Sequence, residues 1–267
     1  MEDLSGPWLQ AQLQGERLGG RVMVHPTVGS TNDLAQALAR AGASEGTVVL
    51  AEEQTSGRGR VGRRWISGPG ESVLLSVVLR PSLPAAHAFL LTALAATAGA
   101  ATIESVTGLK CELKWPNDLL LSGKKTGGIL TELSLLGEQI EYSVVGIGIN
   151  VSTRFGGDPE LMATATSLMA ELGAPVSRNE LVAELLRQMS RRYDALAHGE
   201  REAIYQEWRS RLSTLGRWVR VGYQSRGGAV PRVEEGWAED VAEDGALLLR
   251  RRDGLCARIL AGDVSLR

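Results

Sequence analysis

Two near-continuous apolar runs constrain this chain most: "GTVVLAEEQ" at 46–54 and "SVLLSVVLRP" at 72–81. A run with little polar alternation reads as a strand covered on both faces, and the proline after the second marks its end. Between them lies "TSGRGRVGRRW" at 55–65, with four arginines, three glycines and a closing tryptophan. A disordered basic tail is not held at both ends by buried strands. The segment therefore reads as an ordered or orderable loop, with glycines that let backbone N–H groups approach an anion.

The flanking segments extend the pattern. Residues 21–28 read as a short strand. "GSTNDLAQALARAGA" follows, a helix that Ser30 or Thr31 caps, with Asp33 in its first turn and Gly42 at its end. Residues 84–107 read as a long Ala-rich helix. "CELKW", "NDLLL", "GGILTELSLL" and "IEYSVVGIGINV" read as an antiparallel meander. Residues 178–198 and 200–214 are amphipathic helices. From Gly216 the texture becomes all-β, with turns at Asp244-Gly245 and Asp253-Gly254. The expectation is an α+β protein, a mixed or antiparallel sheet with helices plus a small β-module. Its domains divide into 1–215 and 216–267.

Composition excludes several classes. The net charge of −2 gives no overall basic field to draw the protein onto a polyanion. The positive charge near Arg58 is local and suits a small anionic ligand. Cys111 and Cys256 form neither a disulfide framework nor a metal-ligand spacing, so a cytoplasmic setting is expected. The first twenty residues lack the pattern of a signal peptide. The apolar stretch 88–103 is too short to span a bilayer comfortably and reads as a buried helix. All four lysines lie between 110 and 125 (Lys110, Lys114, Lys124, Lys125). Either chance or a need for a compact ammonium explains that clustering.

Four strings stand out in order: "STN" at 30–32, "QTSGRGRVGRRW" at 54–65, "KWPNDLLLSGKKTGGIL" at 114–130 and "GIGIN" at 146–150. Together they resemble the catalytic domain of biotin protein ligases, by motif over residues 22–170. The C-terminal "GALLLR…AGDVSLR" resembles the family's small SH3-like β-barrel. The resemblance implies a class II synthetase-like catalytic fold and an ATP-dependent ligase. Such an enzyme activates biotin to biotinyl-5′-AMP, then passes it to a lysine of a biotin carboxyl carrier domain. Because the Ser-Thr-Asn motif begins at residue 30, the resemblance is to the monofunctional class, without an N-terminal helix-turn-helix. Neither DNA nor a membrane is an expected partner.

Such chemistry holds two anions together, a carboxylate and a triphosphate, and Arg58, Arg60, Arg63 and Arg64 can supply the neutralising charge. Each arginine also reads as an ordinary solvated surface charge. By resemblance Ser30, Thr31, Asn32, Gln54, Arg58, Gly59, Arg60, Lys125 and Gly127 lie at biotin. Arg58, Arg60, Arg63, Trp65, Lys114, Asn117 and Asn150 lie at ATP or the adenylate. Lys125 matches the family's essential lysine, with Arg60 and Asp118 beside it as catalytic candidates. Asp118 could hold Mg²⁺ on the phosphates or orient the incoming lysine. Lys124 reads as an exposed turn residue. Gly127 and Gly128 suggest close backbone approach to ligand. ATP and Mg²⁺ are the expected co-substrate and activator. A lipoate or octanoate transferase is the rival within the fold. A nucleic-acid-binding module using the Arg/Gly loop and Trp65 is the rival outside it.

Overall fold

The computed structural model describes residues 3–157, 159–223 and 232–266. Its strands are β1 (Arg21–Val28), β2 (Thr47–Gln54), β3 (Ser72–Leu79), β4 (Glu112–Lys114), β5 (Asp118–Leu121), β6 (Lys124–Leu136) and β7 (Gln139–Asn150). They form one seven-stranded sheet in the order β1-β2-β3-β7-β6-β5-β4. Only β1 and β2 are parallel, and the other pairs are antiparallel. The apolar run at 72–79 is buried throughout and lies inside the sheet, between β2 and β7. From β4 to β7 the chain runs as the expected meander.

The helices are α1 (Gly6–Gln12), α2 (Thr31–Arg40), α3 (Phe89–Thr107), α4 (Pro159–Thr164), α5 (Leu168–Leu172), α6 (Arg178–Ala197) and α7 (Arg201–Ser210). A parallel pair needs a crossover, and α2 supplies it between β1 and β2. The expected helix at 84–107 divides into a 3₁₀ turn at Ala85–His87 and α3, which Gly108 ends at φ 72°. The span Ala85–Thr107 is long and apolar enough to cross a membrane, but it lies mostly inside the protein. There α3 packs against α6, α7 and β6.

Strand alternation gives the sheet two unlike faces. Leu75, Val77, Ile129, Val145, Ile147 and Ile149 point into the main core with α3 and α6. Val49, Val78, Tyr142 and Val144 point the other way, against Ala35 and Ala39 of α2. Helix α2 covers only part of that second face. The remainder, along β6 and β7, is where the cavity forms.

The C-terminal strands are β8 (Trp218–Tyr223), β9 (Arg232–Val241), β10 (Leu247–Arg250), β11 (Cys256–Ile259) and β12 (Asp263–Leu266). They make an antiparallel five-stranded sheet in the order β11-β10-β9-β8-β12. Both Asp-Gly turns fall where the sequence places them, with Gly245 at φ 82° and Gly254 at φ 83°. This sheet packs firmly on the larger body. Trp115 is wholly buried, and its Nε1 donates to the Gly245 carbonyl at 2.8 Å. A Cβ on Gly245 would lie 2.6 Å from the Phe89 ring, so only glycine permits this contact.

Candidate active site

The floor of the cavity is the open strip of β6 and β7. Gly146 and Gly148 face it, while Ile147 and Ile149 face the core. A Cβ on Gly146 would stand 2.1 Å from Asn32 Oδ1. One on Gly148 would stand 2.8 Å from the Trp65 ring. The glycines of "GIGIN" thus make room for two side chains that arrive from other elements. Gly128 lies opposite Gly148 in register and also lines the cavity. Gly127 does not, which corrects its expected place at biotin. It belongs to the opposite face, where the space for a Cβ is filled by Leu119 Cδ1 at 2.8 Å and the Gly148 carbonyl at 2.9 Å.

At one side of this floor, the start of α2 presents Ser30, Thr31 and Asn32, all buried. Thr31 N and Oγ1 both donate to Gln54 Oε1, at 2.7 and 3.0 Å. Asn32 Nδ2 donates to the Leu130 carbonyl and to Glu132 Oε2, at 3.3 and 2.8 Å. Beneath them Ser76 Oγ lies 2.8 Å from Thr31 Oγ1 and 2.6 Å from Asn32 Oδ1. The result is a neutral cluster of oriented amides and hydroxyls.

The Arg/Gly loop closes over the floor as a small hairpin. Arg58 and Arg64 form a bridge, Gly59 N donates to Arg63 O at 2.7 Å, and Trp65 N donates to Gly57 O at 3.0 Å. Each arginine reaches a different element. Arg58 pairs with Asp33 at 2.7 Å and Glu132 at 2.5 Å. Arg60 Nη1 donates to Asn117 Oδ1 at 3.1 Å. Arg63 pairs with Asp263 of β12 at 2.5 Å. Arg64 Nη2 donates to the Thr55 carbonyl at 3.3 Å. Burial, aided by the charge of Arg63, pulls the Arg60 pKa below its ordinary value against the opposing pull of Asp118. A partly desolvated cation of this kind gains most when an anion enters. Bonding to Asp263 raises the pKa of Arg63 despite its burial.

Lys125 stands at the other side. Its Nζ donates to Asp118 Oδ1 at 2.5 Å, and Lys114 Nζ lies 3.3 Å from Asp118 Oδ2. A β-bulge aims it there. Leu119 pairs with Gly127 and Leu120 with Lys125, leaving Thr126 as the extra residue. Lys125 therefore shares a face with Gly128, three residues on, whose Cβ would lie 3.3 Å from the ammonium. Strict alternation would put these two residues on opposite faces. Asn117 is fixed against β6 by Nδ2 donating to the Ile129 carbonyl at 2.6 Å.

The donor set at Asp118 does not fit a protein-held Mg²⁺, which corrects that expectation. Both of its oxygens face ammonium groups, and no cluster of three His, Cys, Asp or Glu suited to a metal exists among the described residues. A second cavity adjoins the first and shares Arg63, Trp65, Asp118, Lys125 and Asp263 with it. Lys114 and Asn150 line this second cavity, not the first. Asn150 is buried, and its Nδ2 donates to the Thr166 carbonyl at 3.1 Å. Glu132, Ser76 and Asp263 were not anticipated from sequence. Nothing local marks them, because their partners are 44 to 200 residues away.

The chain matches the Biotin/lipoate A/B protein ligase family over residues 24–150 and the Biotin protein ligase C terminal domain over 214–267. It is 36% identical over 265 residues to the bifunctional ligase/repressor BirA of Bacillus subtilis, covering 98% of this chain and 79% of the relative. The chain belongs to the biotin protein ligase family. Within that family it is 35% identical to the biotin–[acetyl-CoA-carboxylase] ligase of Mycobacterium tuberculosis, over 96% of this chain and 93% of that one. Its fold matches the biotin protein ligase of Aquifex aeolicus solved with biotin and ATP. That match has a TM-score of 0.74 and 28% identity, covering 92% of this chain and 98% of the other.

Proposed function

We propose that this chain is an ATP-dependent biotin protein ligase, acting on a biotin carboxyl carrier domain. One observation carries the reading: a neutral hydrogen-bonding cluster and a cationic cluster share one open sheet face. Asn32 bonds at Leu130, and Lys125 packs against Gly128. Those positions are two residues apart on β6, about 7 Å. The spacing suits a ligand with an uncharged polar ring, an apolar body and a carboxylate. Biotin has that form, and the family relatives are ligases for it.

In the first step the biotin carboxylate attacks the α-phosphorus of ATP. The bond to the β-phosphate oxygen breaks and pyrophosphate leaves. Lys125 and Arg60 offset the repulsion between the two anions and hold them in line. Arg58, Gly59 and Arg63 shape the loop that excludes water from the mixed anhydride. Trp65 gives the nucleotide side a flat wall. Lys114 and Asn150 lie where the second cavity receives the rest of ATP, and Asn117 stands in the first beside Arg60. Mg²⁺, the expected activator, would enter with ATP and supply further charge neutralisation at its phosphates. In the second step the neutral amine of the acceptor lysine attacks the acyl carbon. The bond to AMP breaks, AMP leaves and the amine loses a proton. Asp118 positions Lys125 in both steps. Residues 1–215 form the catalytic part, and 216–267 brace the loop through Asp263. Free thiols and ATP dependence suit the cytoplasm.

A lipoate ligase would bring a dithiolane or alkyl end to the Thr31–Asn32–Gln54 cluster and leave buried polar groups unpaired, a costly mismatch. The test is pyrophosphate release by Lys125→Ala with biotin and ATP. We expect release to fall by at least about a hundredfold in protein that remains folded. Near-normal release would remove Lys125 from the chemistry.

A further inference from the structure

Ser76 is wholly buried in β3, directly opposite Gly146 in register. The two positions make a socket. Gly146 leaves the space that the Asn32 amide fills, and Ser76 meets its oxygen. Hydrogen accounting gives the socket a direction. Both Asn32 amide hydrogens point away, to the Leu130 carbonyl and Glu132, so its Oδ1 must accept. Ser76 is the hydroxyl within reach of it, and Thr31 Oγ1 lies within reach of the same hydroxyl. The Ser76 proton serves Asn32 or Thr31, and the Thr31 proton then turns to Ser76 or Gln54. In either arrangement Gln54 Oε1 remains held by Thr31 N. The amide cannot flip without losing that bond. Its Nε2, which makes no hydrogen bond among the described residues, is left as a donor at the cavity wall.

We propose that Ser76 is a positioning residue for ligand selection, whose hydroxyl holds the Asn32 amide and the Thr31 hydroxyl in place beside Gln54, at the end of the cavity that offers a donor to a carbonyl on the ligand's uncharged ring. This rests on the biotin reading and deepens it. The ureido ring of biotin supplies such a carbonyl. A dithiolane ring or alkyl chain does not, and would leave the Gln54 donor unmatched. Selection therefore comes from a residue that touches no ligand. Removing its hydroxyl takes away the group that Asn32 Oδ1 and Thr31 Oγ1 share, so both side chains can turn, while Thr31 N still holds Gln54.

The experiment compares the full-length parent, Ser76→Cys and Ser76→Ala in pyrophosphate release, with biotin, lipoate and ATP each varied in turn, and measures Tm alongside. The near-isosteric thiol is a weaker donor than the hydroxyl. We expect KM for biotin to rise in the order Ser, Cys, Ala, by about tenfold for Ala. KM for ATP should stay within about twofold, and the preference for biotin over lipoate should narrow. If Ser76→Ala does not fold, Ser76→Cys decides alone, with KM for biotin raised and KM for ATP unmoved. An unchanged KM for biotin would overturn the proposal. So would KM values for biotin and ATP rising together with a fall in Tm, since that marks a merely structural residue. A parent enzyme that makes no biotinyl adenylate would instead overturn the biotin reading itself.

Discussion

Replacing Asp118 by Asn keeps the shape of the side chain and removes the charge that two ammonium groups share. The residue is 6% exposed, so water does not substitute for the carboxylate. Removing one partner of a buried pair costs about 3–5 kcal/mol when the remaining charge stays buried. The Lys125 side chain is 35% exposed and that of Lys114 20%, so both can turn toward solvent. The expected loss is therefore about 1–3 kcal/mol. For a chain of this size that lowers Tm by roughly 2–12 °C. Biotin with ATP brings anionic groups back to the two ammoniums, so the deficit should shrink when both substrates are saturating. A cycle of Asp118→Asn, Lys125→Met and the double variant, unfolded in urea, isolates the pair. The double variant should lose less than the sum of the singles by at least about 1 kcal/mol. Additivity within about 0.5 kcal/mol would refute the claim that the two side chains act as one unit.

Arg60→Gly removes the loop's bond to Asn117 and a partly desolvated cation. Adenylate retained through rapid gel filtration should fall sharply while the fold persists, and unchanged retention would contradict loop closure. Asp263→Ala breaks a pair whose partners are both nearly half exposed, so stability should change by under about 1 kcal/mol. Adenylate release should rise by up to about fivefold. Burial raises the Asp263 pKa, but the hydrogen bond and charge of Arg63 outweigh it, and the net pKa is lowered. A lowered carboxylate contributes above its unfolded pKa and is lost as pH falls through its folded one. Retention should therefore hold from neutral pH downward and weaken only in acid, below the ordinary carboxylate range. Burial, with the charge of Glu104, pushes the Cys111 thiol up to about 12, whereas Cys256 is exposed. A thiol reagent at pH 8 should label one cysteine quickly, and fast labelling of two would contradict the buried environment.

Much of the site was legible because its chemistry is written in short local strings. "STN", the Arg/Gly loop, "KWPND" and "GIGIN" each lie at a strand end or helix start, and the fold brings them to adjoining cavities. The fold class followed from the apolar runs and the Asp-Gly turns. Three kinds of fact lay beyond local reading. Gly127 and Gly128 are neighbours of equal composition, and only the bulge at Thr126 and the register of β6 decide which faces the cavity. Trp115 lines the first cavity, and it is held there by its bond to the Gly245 turn, 130 residues on. Helix α1 carries few sequence signals beyond its Ser5 cap, and it owes its place to Leu9 and Leu13 reaching the core. Each depends on a contact distant in sequence, which no periodicity within one segment encodes.

The most direct test incubates the purified protein with ATP, Mg²⁺ and equal biotin and lipoate, without acceptor, and identifies the small molecules by mass spectrometry. Biotinyl-5′-AMP with little lipoyl-AMP is the predicted result. Lipoyl-AMP alone would mean that the chemistry is right and the polar cluster misread. Neither adenylate from well-folded protein would contradict the ligase account.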